Sequence, residues 1–152
     1  MSRYAQGTVV STAKSRAEIE DTILRFGASK FMSGMEETKG YIAFIYKDRA
    51  VRFDVPLPKR EDFRMTPGKR VRRDDTETYK AWEQGCREKW RALLLTIKGM
   101  LVGVESGIVS FERAFLGQTL LPSGQTVSQW MEPQIVTLLQ TGKMPKMLMS
   151  GE

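Results

Sequence analysis

The 152-residue sequence contains no histidine and only one cysteine, Cys86. Without histidine there is no Ser-His or Cys-His nucleophile pair and no imidazole to move protons near neutral pH. A single cysteine excludes an internal disulfide framework and fits a reducing cytoplasm. Any metal site would consist almost entirely of carboxylates, which suit Mg²⁺ or Ca²⁺. These absences argue against most hydrolases and transferases, and we expect neither a cofactor nor a resident metal ion.

Long hydrophobic runs are also missing. The stretch "ALLLTIKGMLVGV" from Ala92 has 13 residues and contains Lys98, whereas a membrane-spanning helix needs about 20 apolar residues. The N-terminal residues have no apolar core typical of a secretion signal. We therefore expect a single domain over residues 1–152 that works in the cytoplasm and not in a membrane.

Positive charge is concentrated in residues 59–75, which we call the basic loop. The whole chain has a net charge of +6 and a pI of about 9.6. Between residues 59 and 73 there are seven bases and two acids, Glu61 and Asp62, so this stretch alone carries 7 − 2 = +5. Its bases are Lys59, Arg60, Arg64, Lys69, Arg70, Arg72 and Arg73. Ordinary surfaces intersperse both signs, so the pattern predicts a mobile loop that contacts a polyanionic partner, with a solvated surface segment as the alternative.

The charge continues beyond the loop onto one face of the helix predicted to follow it. Four bases recur there at helical spacing, partly offset by Glu83 and Glu88: Lys80, Arg87, Arg91 and Lys98. Contacts from Lys and Arg to phosphates supply affinity without base identity. Stacking of single-stranded bases requires aromatic or Arg planes. Phe63 and Tyr79 are the stacking candidates, with a place in the core as the alternative for each.

Hydrophobic periodicity predicts an α+β fold. A capping box at Ser15 to Glu18 predicts an N-terminal helix over about 16–26. From Lys30, alternating apolar residues predict an antiparallel β-meander that ends at Pro56 and Pro58.

The longest helix is predicted directly after the basic loop, where Asp74 to Glu77 form a second capping box. Eight residues recur in one apolar stripe that should pack on the sheet: Tyr79, Trp82, Cys86, Trp90, Leu93, Ile97, Leu101 and Val104. Glycines four residues apart on an adjoining face, Gly99, Gly103 and Gly107, favour close packing. A small hairpin around Pro122, a helix over about 128–140 and an extended tail at 143–152 complete the prediction.

Several segments, in order, resemble a family of small, uncharacterised phage and mobile-element proteins: "EIEDTILRFGASKF", "VRFDVPLPKREDF", "CREKWRALLLTIKGMLVGVESGI", "LPSGQTVSQWMEPQI" and "TGKMP". This resemblance covers about residues 16–146 and implies a bacterial host cytoplasm, without implying site residues. The layout of meander, basic segment and long helix is also similar to Rad52-like single-strand annealing proteins. Those proteins form rings or filaments and hold DNA in a basic groove, which implies a homo-oligomer.

We therefore predict a non-catalytic nucleic-acid-binding protein that acts on single-stranded DNA in replication or recombination. The predicted contacts are the seven loop bases with Lys80, Arg87 and Arg91. The first alternative is an interaction protein that binds and modulates a host or phage protein through the loop. A metal-dependent nuclease using Asp74, Asp75 and Glu77 is a third alternative, although adjacent acids at a helix start usually serve as caps.

Overall fold

The computed structural model describes residues 5–144, except for the side chain of Lys69. Helices and strands follow the predicted order of helix, meander, long helix and closing helix. Their bounds are α1 (Thr12–Phe26), β1 (Lys30–Met35), β2 (Lys39–Tyr46), β3 (Arg49–Pro56), α2 (Asp75–Glu105), α3 (Phe111–Ala114) and α4 (Val127–Thr141). Short 3₁₀ helices lie at Arg60–Phe63, Pro67–Lys69 and Leu116–Gln118. The mixed α and β class predicted from the sequence is confirmed.

The three strands form one antiparallel sheet in the order β1-β2-β3. Side chains alternate between the two faces of a sheet along each strand. The face of this sheet that packs against the core, which we call the inner face, carries the buried residues Ile42 and Phe44 of β2 and Val51 of β3. The opposite face, which we call the outer sheet face, carries Ala43 of β2, paired with Met32 of β1. The core therefore lies on one side of the sheet only.

α2 packs its apolar stripe on the core side of the sheet. The middle of the predicted stripe is buried: Cys86, Trp90, Leu93, Ile97 and Leu101. The two ends of the stripe are less buried: Tyr79 is 44% exposed, and Val104 is only partly buried against the core. On the glycine face, a methyl group added to Gly99 would have no heavy atom within 4 Å, so the close packing expected at this glycine is wrong.

The N-terminal helix begins four residues earlier than the capping box at Ser15 predicts. The N-cap of α1 is Ser11, whose hydroxyl accepts a hydrogen bond from the Lys14 amide at 3.1 Å. Ser15 instead lies inside the helix and is fully buried. Its apolar neighbours Ile19 and Ile23 are buried on the same face, as the spacing predicts.

The C-terminal segment joins the free edge of β3. The Leu120 amide donates to the Ala50 carbonyl at 2.8 Å, and a tight turn brings the Leu121 amide to the Gln125 carbonyl at 2.8 Å. α4 then begins after the N-cap Thr126 and ends at Gly142, which has φ 67°. The predicted helix bounds are confirmed to within about one residue. The predicted tail lies outside the described residues from residue 145 onward.

Candidate nucleic-acid interface

The basic loop has a defined, hydrogen-bonded conformation. Two 3₁₀ helices lie along it, and Met65 and Arg72 form an isolated antiparallel bridge between its two arms. Beside this bridge, the Thr66 amide donates to the Val71 carbonyl at 2.8 Å, and the Arg73 amide donates to the Arg64 carbonyl at 2.7 Å. Residues 67–70 therefore form the tip of a closed loop whose arms are held together by backbone hydrogen bonds.

Arg73 braces the loop from inside. Its Nη1 donates to the carbonyl of Phe63 at 3.0 Å and to the carbonyl of Met65 at 3.2 Å. These carbonyls lie on the arm opposite Arg73, so the guanidinium links the two arms. Hydrogen bonds from a charged donor contribute about 1.5–3 kcal/mol each in favourable geometry. The Arg73 side chain is thus committed to the fold of the loop.

Phe63 anchors the loop to α2. A Cβ atom at Gly85 would lie 2.8 Å from Cζ of Phe63 and 3.2 Å from Cγ of Pro58, so the ring rests directly on the helix backbone. The Trp82 indole Nε1 also donates to the Pro58 carbonyl at 2.7 Å. In this position the half-buried Phe63 ring packs within the chain, against the backbone of α2 at Gly85.

Tyr79, the second stacking candidate, is part of an exposed aromatic and cationic cluster. The Arg60 guanidinium lies 5.1 Å from the centre of the Tyr79 ring and 4.6 Å from that of Trp82. The two rings are 5.7 Å apart. Such cation–π contacts contribute about 0.5–1 kcal/mol at exposed sites. Since Tyr79 is 44% exposed, this cluster offers planar groups at the surface beside the basic loop.

Three of the predicted cations form ion pairs within the chain. Arg64 lies 3.3 Å from Asp75, Arg91 lies 3.3 Å from Glu18, and Arg87 pairs with Glu83. The Arg64 pair is the most exposed, with 95% of the Asp75 side chain accessible. Exposed pairs of this kind contribute about 0–1 kcal/mol, so a phosphate could displace the carboxylate at small cost.

The remaining predicted cations are exposed and have no acidic partner within the described part of the chain. They are Lys59, Arg70, Arg72 and Lys80. Arg70 and Arg72 belong to the far end of the loop, where the bridge and the loop tip hold the backbone in place. The side chain of Lys69 lies outside the described residues. The predicted cations therefore fall into four groups: one that braces the loop, three in ion pairs, one stacked on aromatic rings, and four without an acidic partner in the described chain.

A cleft of about 840 Å³ lies between the basic loop and α2. Its apolar lining comes from both sides, with Phe63 and Met65 of the loop facing Ala81 and Gly85 of the helix. Charge and periodicity in the sequence do not indicate this cleft. The available signal was Gly85 itself, because glycine inside a helix costs roughly 0.5–1 kcal/mol relative to alanine and often marks a close approach.

The carboxylates of the alternative nuclease site, Asp74, Asp75 and Glu77, do not form a metal site in the described chain. Asp74 caps α2 by accepting from the Glu77 amide at 2.7 Å, and Asp75 pairs with Arg64. Within residues 5–144, no group of three or more acidic or cysteine side chains is arranged to hold a metal ion. Burial raises the pKa of the Cys86 thiol, and Glu83 raises it further while Arg60 lowers it. A raised pKa leaves less of the nucleophilic thiolate at neutral pH.

Comparisons of the chain with protein-family models, with curated proteins and with solved structures each gave no match. Among the residues that the structure describes, no helix combines the length and the apolar character needed to cross a membrane. Function is therefore inferred from the geometry and charge of the basic loop and α2.

Proposed function

We propose that this chain binds nucleic acid through the basic loop without catalysing a reaction on it, and that single-stranded DNA is its ligand. One observation carries the proposal: Arg70 in the loop tip and Arg72 in the bridge beside it are exposed and have no acidic partner in the described chain. Two exposed guanidinium groups held on a hydrogen-bonded frame suit a phosphate backbone, because Arg presents a planar fork of donors to phosphate oxygens.

The cluster of Arg60, Tyr79 and Trp82 supports a single strand over a duplex. Bases of a single strand are free to stack on aromatic or guanidinium planes, whereas bases in a duplex already stack on each other. Tyr79 is exposed at the start of α2, close in sequence to the free cation Lys80. In the proposed complex, one DNA strand contacts the loop tip through its phosphates and the cluster of Arg60, Tyr79 and Trp82 through its bases.

We further propose a role in replication or recombination in a phage or mobile-element setting, which is the context that the resemblance of the sequence implies. Binding to phosphates carries no sequence information, so the chain would coat or hold DNA and not select a site. The absence of sequence preference is itself measurable with oligonucleotides of unrelated sequence.

The direct test is the affinity of the double variant Arg70→Ala/Arg72→Ala for a short fluorescent single-stranded oligonucleotide. We expect binding to every sequence tested to weaken by at least roughly a hundredfold, because each of the two lost charged hydrogen bonds removes about 1.5–3 kcal/mol. The charge-matched control is Lys14→Ala/Arg25→Ala on α1, where both residues are exposed and Arg25 pairs with Asp21 of the same helix. The control should bind as the wild type does.

Four outcomes would contradict the proposal. Equal weakening by both double variants would mean that only net charge matters. Affinity for a duplex equal to that for its single strand would remove the case for stacking. Cleavage of the oligonucleotide with Mg²⁺ but not with EDTA would support the nuclease alternative, and binding to acidic protein in place of DNA would support the interaction protein.

A further inference from the structure

α4 presents large apolar side chains to solvent. None of its fifteen residues is buried, and Trp130 is 46%, Ile135 42% and Leu139 81% exposed. An amphipathic helix in a folded chain ordinarily covers a core with its apolar face. A helix with this composition that covers so little of its own chain indicates a missing partner surface.

The outer sheet face presents an apolar groove on the opposite side from the core. The groove has a volume of about 460 Å³. Met32, Ala43 and Leu120 belong to its lining, and Lys30 lies in the row of paired residues farthest from Met32 and Ala43. Since sheets in α+β folds ordinarily bury their apolar faces under helices, this face lacks the second layer that the inner face has in α2.

α4 does not cover this groove in its own molecule, because its start is held at the edge of β3. Arg52 of β3 donates to the Gly124 carbonyl at 3.3 Å and to Oε1 of Gln129 at 3.2 Å. The Thr126 capping box further sets the direction in which the helix leaves the turn. The helix packs against the Leu116–Gln118 segment instead of the sheet.

Charge identifies the kind of surface that α4 can meet. Glu132 is its only charged residue, and it shares one face with Ile135 and Leu139 at steps of three and four residues. Because α4 has no Lys or Arg, it suits neither a phosphate backbone nor an anionic membrane surface. The groove is complementary to this face of α4, because its lining is mostly apolar and includes the cation Lys30.

We propose that α4 of one molecule docks into the outer-sheet groove of a second copy of this chain. Ile135 and Leu139 would fill the groove, and Glu132 would lie beside Lys30 of the second copy. This contact supplies the helix layer that the outer sheet face lacks. It also brings two basic loops into one assembly, so that two weak phosphate sites act on one DNA strand with raised effective concentration.

The most specific test is a disulfide between two different single-cysteine variants. Met32→Cys lies in the groove and Leu139→Cys on α4, both in a Cys86→Ala background; the two positions are 59% and 81% exposed, so both changes should fold. Upon mixing and mild oxidation, we expect a disulfide between one Met32→Cys chain and one Leu139→Cys chain, identified by a mass tag on one of them. Disulfides joining only two Leu139→Cys chains would place α4 on α4 and overturn the proposed contact.

The mass in solution, measured by light scattering without nucleic acid, tests the same contact in the otherwise unchanged chain. We expect at least twice the 17.3 kDa of one chain. Leu139→Asp should weaken association at least tenfold, whereas Ile108→Asp, at a position 83% exposed after α2, should not. Glu132→Lys should weaken association, and adding Lys30→Glu should restore it. A wild type that stays monomeric at high concentration would overturn the proposal and leave the DNA-binding test unaffected.

Discussion

At the scale of single residues, two glycines occupy opposite environments. A methyl group on Gly40 of β2 would overlap the ring of Trp90, which is fully buried beneath the sheet. Gly99 of α2 faces open space. The same substitution should therefore have opposite effects at the two positions.

We predict that Gly40→Ala lowers the free energy of unfolding by about 1–3 kcal/mol, the usual cost of overpacking a core. Gly99→Ala should raise it by about 0.5–1 kcal/mol, because alanine loses less backbone entropy in a helix. Urea denaturation followed by circular dichroism measures both. If Gly40→Ala were as stable as the wild type, β2 would not approach Trp90 as closely as the structure has it.

Single residues also mark the limit of what the sequence predicts about the site. The composition of residues 59–73 identifies the basic loop, but it does not separate the free Arg70 from the bracing Arg73. That difference depends on which carbonyls the fold brings within reach, here those of Phe63 and Met65. A variant that removes Arg73 together with Arg70 and Arg72 would therefore disturb the loop fold and its charge at once.

At the scale of elements, the start of α1 is the boundary at which the sequence prediction departs most from the structure. Both Ser11 and Ser15 precede apolar residues at helical spacing, and the capping box favours Ser15. In the structure the N-cap is Ser11, and Ser15 is buried inside the helix on the same face as Ile19 and Ile23. The strands and α4 were predicted closely, because Gly and Pro at their ends allow few alternatives.

The two serines provide a prediction with an internal control. Ser11→Ala should destabilise the protein by about 1 kcal/mol through loss of the N-cap. Ser15→Ala should not destabilise it, because the buried Ser15 hydroxyl has no hydrogen-bond partner within the described residues. Thermal unfolding of the two variants tests the assignment. A larger loss of stability for Ser15→Ala than for Ser11→Ala would mean that Ser15 is the N-cap.

At the scale of the whole molecule, functional surfaces lie at separate places around one core. The basic loop and the cluster of Arg60 and Tyr79 lie at the N-terminal end of α2, whereas the groove lies on the outer sheet face and α4 packs against the Leu116–Gln118 segment. The proposed contact between two copies would therefore leave the cations of the basic loop accessible. The sequence predicts the loop through its charge, but it does not predict the groove, whose residues come from three strands and Leu120.

The salt dependence of single-stranded DNA binding shows whether the loop tip contacts phosphates. If the free cations Lys59, Arg70, Arg72 and Lys80 neutralise about four phosphates, log K should fall against log salt with a slope of roughly −3. In Arg70→Ala/Arg72→Ala the slope should become less steep by about 1.4, whereas Lys14→Ala/Arg25→Ala should keep the wild-type slope. An unchanged slope in Arg70→Ala/Arg72→Ala would contradict the proposed interface, because the loop tip would then make no contact with phosphates.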